Sequence, residues 1–417
     1  MDALAVAREV YERLAALGTD PPRMRAWTGE EWGPADAAAT VVLEHPGALR
    51  ALLLPPSDLT AGEAYIYGDV DVEGDIFSVL AFARSLTHLK PTSPTAWSLL
   101  RLLRRLPAES RRRDAVRPTF HGILHSLRRD REAVRYHYDT GNDFFATFLG
   151  ETMVYSCAYF LDPAEPLDVA QRRKLDVICR KLELRPGERF LDVGCGWGSL
   201  VLHAASRYGV EATGVTLSSE QAEYARLAAK RAGVDDRVTI LERDYRELDG
   251  TFDAIASVGM VEHVGARQLP RYFRRLRSML EPGGRLLNHG IVTRERGRRL
   301  RRRPTFISTY VFPDGELEPI EEVVDAAMGA GFELRDAESL RTSYALTLRR
   351  WVANLETNHD AAVAATDETT YRIWRAYMAA SAILFEHAGI SVFQLLLTDP
   401  ARRWTFGRRW MLADDDT

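Results

Sequence analysis

From Gly187 onward the sequence settles into one rhythm, a short apolar run that ends in Gly or Asp followed by a helix-length stretch. The runs are "RFLDVG", "VEATGVT", "VTILERD", "FDAIASVG" and "GGRLLNHGIV", and between them lie "SLVLHAASRYG", "SEQAEYARLAAKRAG" and "LPRYFRRLRSML". Apolar strands alternating with helices predict a doubly wound, mostly parallel sheet with helices on both faces. Further on, "FELRDAESL" and "YALTLRRW" read either as an antiparallel strand pair or as a strand and the start of a helix. The rest, to about Trp410, reads as largely helical.

The preceding sequence lacks this rhythm. Residues 1–115 mix helical and short-strand patterns with Asp/Gly turns and hold no catalytic constellation, which predicts a smaller α/β or helical accessory domain. An Arg-rich connector over 116–135 follows, and the second domain over 136–417 opens on the aromatic and turn-forming "YHYDTGNDFF". The three cysteines, Cys157, Cys179 and Cys195, are too scattered for a disulfide framework and form no zinc spacing, so a reducing compartment and no metal are expected. The amphipathic start "MDALAVAREVYERLAALG" is unlike a signal peptide. The apolar run from Ala376 to Phe385 falls short of the ~20 residues a membrane span needs, and a cytoplasmic protein is the expectation.

A net charge of -4 hides three cationic runs: "RRLPAESRRR" (104–113), "LRRDREAVR" (127–135) and "RERGRRLRRRP" (294–304). Solvated surface accounts for any one of them; three together suggest an anionic partner. No zinc finger, paired-aromatic RNA motif or helix-turn-helix is present, so nucleic acid is set aside. A lipid surface suits the same charges, each contributing about 1 kcal/mol. Peripheral association with the inner face of the membrane follows as an expectation.

The most specific local motif is "FLDVGCGWGSL" (190–200), which puts Asp192 near a strand end and Gly194, Gly196 and Gly198 in the turn into a helix. Such a turn lets the backbone approach a ligand and offers helix N–H groups to it. A dinucleotide is disfavoured, because the spacing is GxGxG and "GVTLSSEQ" (214–221) lacks the acidic residue expected at the second strand's tip. S-adenosylmethionine fits. "RDYREL" and "VGMVEHVG" follow at later strand ends, where folds of this kind bind ligands.

Together, "YHYDTGNDFF", "YSCAYF", "KLDVICRKLELRPGERFLDVGCGWGSL", "GVTLSSEQ", "DYREL", "SVGMVEHVG" and "YVFPDG" closely resemble the cyclopropane-fatty-acyl-phospholipid synthases. Mycolic-acid cyclopropane synthases and actinobacterial methylene-branch-forming acyl methyltransferases are relatives of that family. The resemblance runs from about residue 136 to the C-terminus and implies a class I, Rossmann-like methyltransferase. It implies that Tyr155 and Ser156 meet the methionine part of S-adenosylmethionine, with Gly194 and Gly196 beneath it. Thr216 and Gln221 would serve the ribose side and Asp244, Tyr245 and Arg246 the adenine. Asp192 would order the glycine loop or meet the amino group.

The resemblance further implies methyl transfer to a cis double bond in a phospholipid acyl chain, leaving a carbocation that must lose a proton. Tyr138, Phe144, Tyr155, Tyr159 and Phe160 are candidates for an aromatic wall around that cation. The implied base is bicarbonate, held by the backbone at Cys157 and Ile291 and by Glu262, His289 and Tyr344, with His289 donating or relaying a proton. His263 reads as structural on the assumption that its segment is extended, and Cys179 and Cys195 read as inert. Ring closure gives a cyclopropane, ranked first. A hydride shift before deprotonation gives a methylene branch that a separate reductase could saturate. A small-molecule methyltransferase is the alternative from another class, and a homodimer through the N-terminal domain is compatible with the sequence.

Overall fold

A computed structural model describes residues 2–88, 90, 92–112, 129, 140–294, 304–313, 315–402 and 408. Tyr138, most of the basic connector, the basic run over 295–303 and the acidic tail lie outside the described residues. By their contacts the described residues divide into two units.

The first unit gathers residues of Met1–Thr119, Arg301–Pro313 and Ala362–Ile383. Its strands β1 (Arg23–Arg25), β2 (Glu31–Trp32), β3 (Ala39–Leu43) and β4 (Val70–Gly74) form a sheet in the order β2-β1-β3-β4. Helix Ala3–Ala15 buries Val6, Ala7, Val10 and Tyr11, the i, i+4 stripe of an amphipathic helix. Arg375 is held inside this unit by the Tyr65 hydroxyl at 2.9 Å and the Val72 carbonyl at 3.3 Å.

The second unit carries the expected sheet. Strands β5 (Arg189–Val193), β6 (Glu211–Thr216), β7 (Val238–Glu242), β8 (Phe252–Val258) and β9 (Leu280–Thr293) are parallel neighbours, and the path runs β11-β12-β9-β8-β5-β6-β7, with β11 at Glu333–Ser339 and β12 at Ile390–Thr398. The two-residue β10 (Glu318–Pro319) pairs beside β9. The strand period of two sorts neighbours onto opposite faces. Phe190, Ala254, Leu287 and Leu396 join the core under helices Leu167–Lys181, Ser199–Tyr208 and Ser219–Ala232. Leu191, Ile255, Leu286 and Leu395 face helices Leu269–Ser278 and Ile320–Gly329. Burying each such Leu, Ile or Phe side chain contributes about 2 kcal/mol, and the doubly wound arrangement follows from serving both faces.

Two expectations resolve here. "FELRDAESL" is strand β11 and "YALTLRRW" lies in helix Arg341–Thr357, so the strand-then-helix reading holds. The helical reading of everything after it does not. "ISVFQLLLT" is strand β12, inserted antiparallel between β9 and β11. Its apolar run is buried on both faces, and no local period marks it as strand.

Candidate active site

At the carboxyl ends of β5, β6, β7 and β8, where the strand order reverses direction around β5, lies a cavity of about 500 Å³. It brings together Gly194, Gly196, Thr216, Gln221, Asp244, Tyr245 and Arg246. Crevices at this topological switch point are where open α/β sheets take ligands. Gly196 sits at φ +53°, and a Cβ there would meet nothing within 4 Å, so the loop backbone borders open space. The loop is pinned by the Gly194 and Cys195 N–H groups, which donate to the Val215 carbonyl at 3.0 and 2.9 Å. The Thr216 hydroxyl donates to the Gln221 amide oxygen at 2.7 Å. Arg246 grips Asp244 through Nη2 at 2.6 Å.

The remaining expected cofactor residues, half-buried Tyr155 and Ser156 and buried Asp192, do not line this cavity. Lys174, 2% exposed, donates from Nζ to Ser156 Oγ at 2.9 Å. Burial pushes this lysine down to about 8, while Cys157 and Asp192 pull it partly back. Asp192, 3% exposed, has an oxygen with no hydrogen-bond partner, and burial pushes its carboxyl up to about 7 against the pull of Lys174. Sequence reasoning missed Lys174, which reads as one more charge on a helix.

The expected catalytic residues converge through strand register. Gly259 N–H donates to the His289 carbonyl at 2.8 Å, and Ile291 N–H donates to Glu262 Oε1 at 2.7 Å, so the turn after β8 lies against the end of β9. Ile291 pairs with Val392 of β12, whose carbonyl accepts the Leu340 N–H. The Leu340 carbonyl in turn accepts from Tyr344 N–H at 2.9 Å and from the Cys157 thiol at 3.6 Å. The Ile291 N–H is therefore committed to Glu262 and fixes that carboxylate. Glu262 Oε2 and His289 Nε2 are both buried without a partner among the described residues. Burial raises the Glu262 carboxyl to about 7. Burial, aided by the positive charges of Lys174 and Lys181, lowers His289 to about 3 and keeps it neutral.

Residues Val261–Val264 are a helical turn, not an extended segment, and His263 lines the same cavity as Gly194 and Thr216. The premise of the structural reading of His263, an extended segment, does not hold. Met260 and Tyr272 are further lining residues that local sequence did not mark.

The aromatic cluster around Tyr155 differs in membership from the one the sequence suggested. Tyr155 packs on Trp351 at 5.3 Å and on Phe145 at 5.6 Å between ring centroids, and Trp197 meets Phe145 at 4.9 Å. Tyr344 stacks against Phe385 at 4.6 Å. Phe144 is fully buried beside Phe145 and Phe148, whereas the Tyr159 hydroxyl is committed to Glu338 at 2.7 Å. Trp351 and Trp197 read as ordinary core residues until their neighbours are known.

Cys157 is fully buried, and burial raises its thiol far above the usual value. Such a thiol is no nucleophile. Cys157→Ser should keep the greater part of the activity, because the hydroxyl can donate to the same carbonyls. A folded, cofactor-binding variant with no acyl methylation in a label-transfer assay would return the thiol to the chemistry. Cys179 and Cys195 are likewise buried, with thiols pushed up by burial.

A family profile described as mycolic acid cyclopropane synthetase matches residues 125–395. A probable fatty acid methyltransferase of Mycobacterium tuberculosis is 37% identical over 404 residues, covering 94% of each chain. A tuberculostearic acid methyltransferase of the same organism is 35% identical over 412 residues, covering 94% of this chain and 91% of its own. Among solved structures, a mycolic acid cyclopropane synthase complexed with SAH and CTAB superposes with a TM-score of 0.61 at 33% identity, covering 64% of this chain and 98% of its own.

Proposed function

The chain belongs to the mycolic acid cyclopropane synthetase family and is an S-adenosylmethionine-dependent methyltransferase of fatty acyl chains, and from that premise we propose that its substrate is the cis double bond of an unsaturated phospholipid acyl chain and its base is hydrogen carbonate. The residues suit both small molecules. The cavity bordered by Gly196 is of the size that accepts a nucleoside-bearing cofactor. Hydrogen carbonate carries an O–H donor and acceptor oxygens, which suits the two buried, unpartnered polar atoms Glu262 Oε2 and His289 Nε2. That pair is the observation that carries the reading. Cys157 and Tyr344 complete the proposed pocket, and Ile291 serves it by fixing Glu262 through its N–H.

S-adenosylmethionine supplies an electrophilic methyl group and hydrogen carbonate a base; the chain supplies position and dryness. Gly194, Gly196, Thr216, Gln221, Asp244, Tyr245 and Arg246 are the proposed cradle for the nucleoside, with Tyr155, Ser156 and Asp192 at the methionine end. An alkene is a weak nucleophile, and the carbocation left by its methylation is quenched by water. Rings at Tyr155, Trp351 and Phe145 exclude water and stabilise the cation through their quadrupoles.

The sequence alone ranks the ring product first. The whole-length relatives support the other order, because those covering 94% of this chain are named a probable fatty acid methyltransferase and a tuberculostearic acid methyltransferase, while the cyclopropane synthase structure covers 64%. A methylene-branched product is therefore the proposed outcome, with a separate reductase to saturate it. Mass spectrometry of the product from oleoyl phospholipid decides between them. The branched product takes up two hydrogens on mild reduction; a product that resists is the ring, and label found only in small amines would sink both.

The N-terminal unit is proposed as the lipid-facing part. No helix among the described residues is long and apolar enough to cross a membrane. Helix Pro94–Leu103 leaves Trp97 53% exposed, with the exposed Arg101 and Arg104 following on one helical face. An aromatic ring flanked by cations suits the interface of an anionic bilayer.

A further inference from the structure

His289 is the one expected catalytic side chain with two distinct ring atoms to assign, and the residues behind it make the assignment. It lies on β9 directly opposite Gln394 of β12. Gln394 Nε2 and His289 Nδ1 are 3.2 Å apart, and both residues are buried. Which end of an amide faces its neighbour is ordinarily ambiguous. Here Lys181, 1% exposed, donates from Nζ to Gln394 Oε1 at 2.8 Å. An ammonium has donors only, so the Gln394 oxygen must face Lys181 and its NH2 must face the ring. His289 Nδ1 is then an acceptor, and the ring proton sits on Nε2.

Lys181 is itself held. It donates to Glu338 Oε2 and lies 3.7 Å from Asp336 Oδ2, and the Tyr159 hydroxyl donates to Glu338 Oε1 at 2.7 Å. Glu338 accepts from both Tyr159 and Lys181, and from Lys181 the bonds run donor to acceptor through Gln394 to His289. At their end is a buried Nε2–H with no partner among the described residues. A second proton on the ring would set a donor on Nδ1 against the Gln394 NH2, so the imidazolium is excluded by geometry.

We propose that Gln394 and Lys181 are positioning residues that lock His289 as a neutral hydrogen-bond donor through Nε2 to an anionic oxygen, and that His289 neither removes nor relays the substrate proton. The nature of that anion rests on the hydrogen carbonate reading; the tautomer does not. Glu262 Oε2, an unpartnered acceptor, complements the His289 donor, so a hydrogen carbonate presents an oxygen to His289 and its O–H to Glu262.

The experiment is nitrogen-15 NMR of the intact protein labelled at histidine, with the His289 signals identified by their loss in His289→Gln. Expected is a ring protonated at Nε2 only, unchanged from pH 6 to 8. In Gln394→Glu the carboxylate draws the proton to Nδ1. The hydrogen carbonate concentration giving half-maximal activity in carbon-dioxide-depleted buffer should then rise about ten-fold, with S-adenosylmethionine affinity by calorimetry unchanged. A wild-type ring protonated at Nδ1, or at both nitrogens, overturns the proposal whether or not the variant folds. A variant that moves the proton without changing the hydrogen carbonate dependence overturns the positioning role. Wild-type activity indifferent to hydrogen carbonate overturns the identity of the anion and the reading under Proposed function, while the NMR result still decides the tautomer.

Discussion

Glu262→Gln should lower acyl methylation by about a hundred-fold or more while leaving S-adenosylmethionine affinity by calorimetry at the wild-type value. The substitution separates two jobs of one carboxylate. Oε1 accepts the Ile291 N–H at 2.7 Å, and an amide oxygen can accept it equally well, so the turn after β8 stays on β9. Oε2 is buried and unpartnered, and the amide replaces that acceptor with a donor. An anion seated between it and His289 would then face donors on both sides with no acceptor for its own O–H. Burial raises the Glu262 carboxyl to about 7, outweighing the Ile291 N–H that favours the ionised form. The carboxylate fraction therefore falls as pH drops through that value. Wild-type activity, measured at fixed hydrogen carbonate concentration, should decline on the acid side with a midpoint near it, and the Gln variant should lack that limb. A loss under about ten-fold removes Glu262 from the chemistry.

The part of this site that was legible in the sequence is the part written in neighbours. Gly194, Gly196, Thr216 and Gln221 lie within one strand, turn and helix each, where backbone conformation and side-chain period are local properties, and the cavity gathers them as expected. The illegible part is set by pairing across the sheet. Gln394 reaches His289 over 105 positions, and Lys181 reaches Gln394 over 213. Both depend on β12 being a strand, which its unbroken apolar run does not reveal. His263 was lost differently: a single helical turn, Val261–Val264, rotates it into the cavity where an extended segment would have turned it away. Lys174 and Trp351 carry no local mark at all, since a lysine on a charged helix and a tryptophan on an amphipathic one are ordinary until burial and neighbours are known. Apart from His263, the residues that escaped are those whose place at the site lies in long-range contacts.

Gly196→Val should abolish measurable binding of S-adenosylmethionine, an affinity loss of about a hundred-fold or more if two effects add as their physics indicates. The first is conformational. At φ +53° a residue with a Cβ costs roughly 1–2 kcal/mol relative to glycine, more when β-branched. The second is occupancy, because the new side chain projects into the open space where the loop backbone borders the cavity. Gly233 separates them. It caps helix Ser219–Ala232 at φ +67°, where an added Cβ would also meet nothing within 4 Å, and it is not among the residues that line the cavity. Gly233→Val carries the same backbone strain with no occlusion, so its thermal midpoint should fall about as far as that of Gly196→Val while its cofactor affinity stays at the wild-type value. Equal affinity losses in the two variants would mean that strain alone disables binding. Normal cofactor binding by a folded Gly196→Val would place S-adenosylmethionine elsewhere than in this cavity, because no nucleoside can share a close-approach loop with an added isopropyl group.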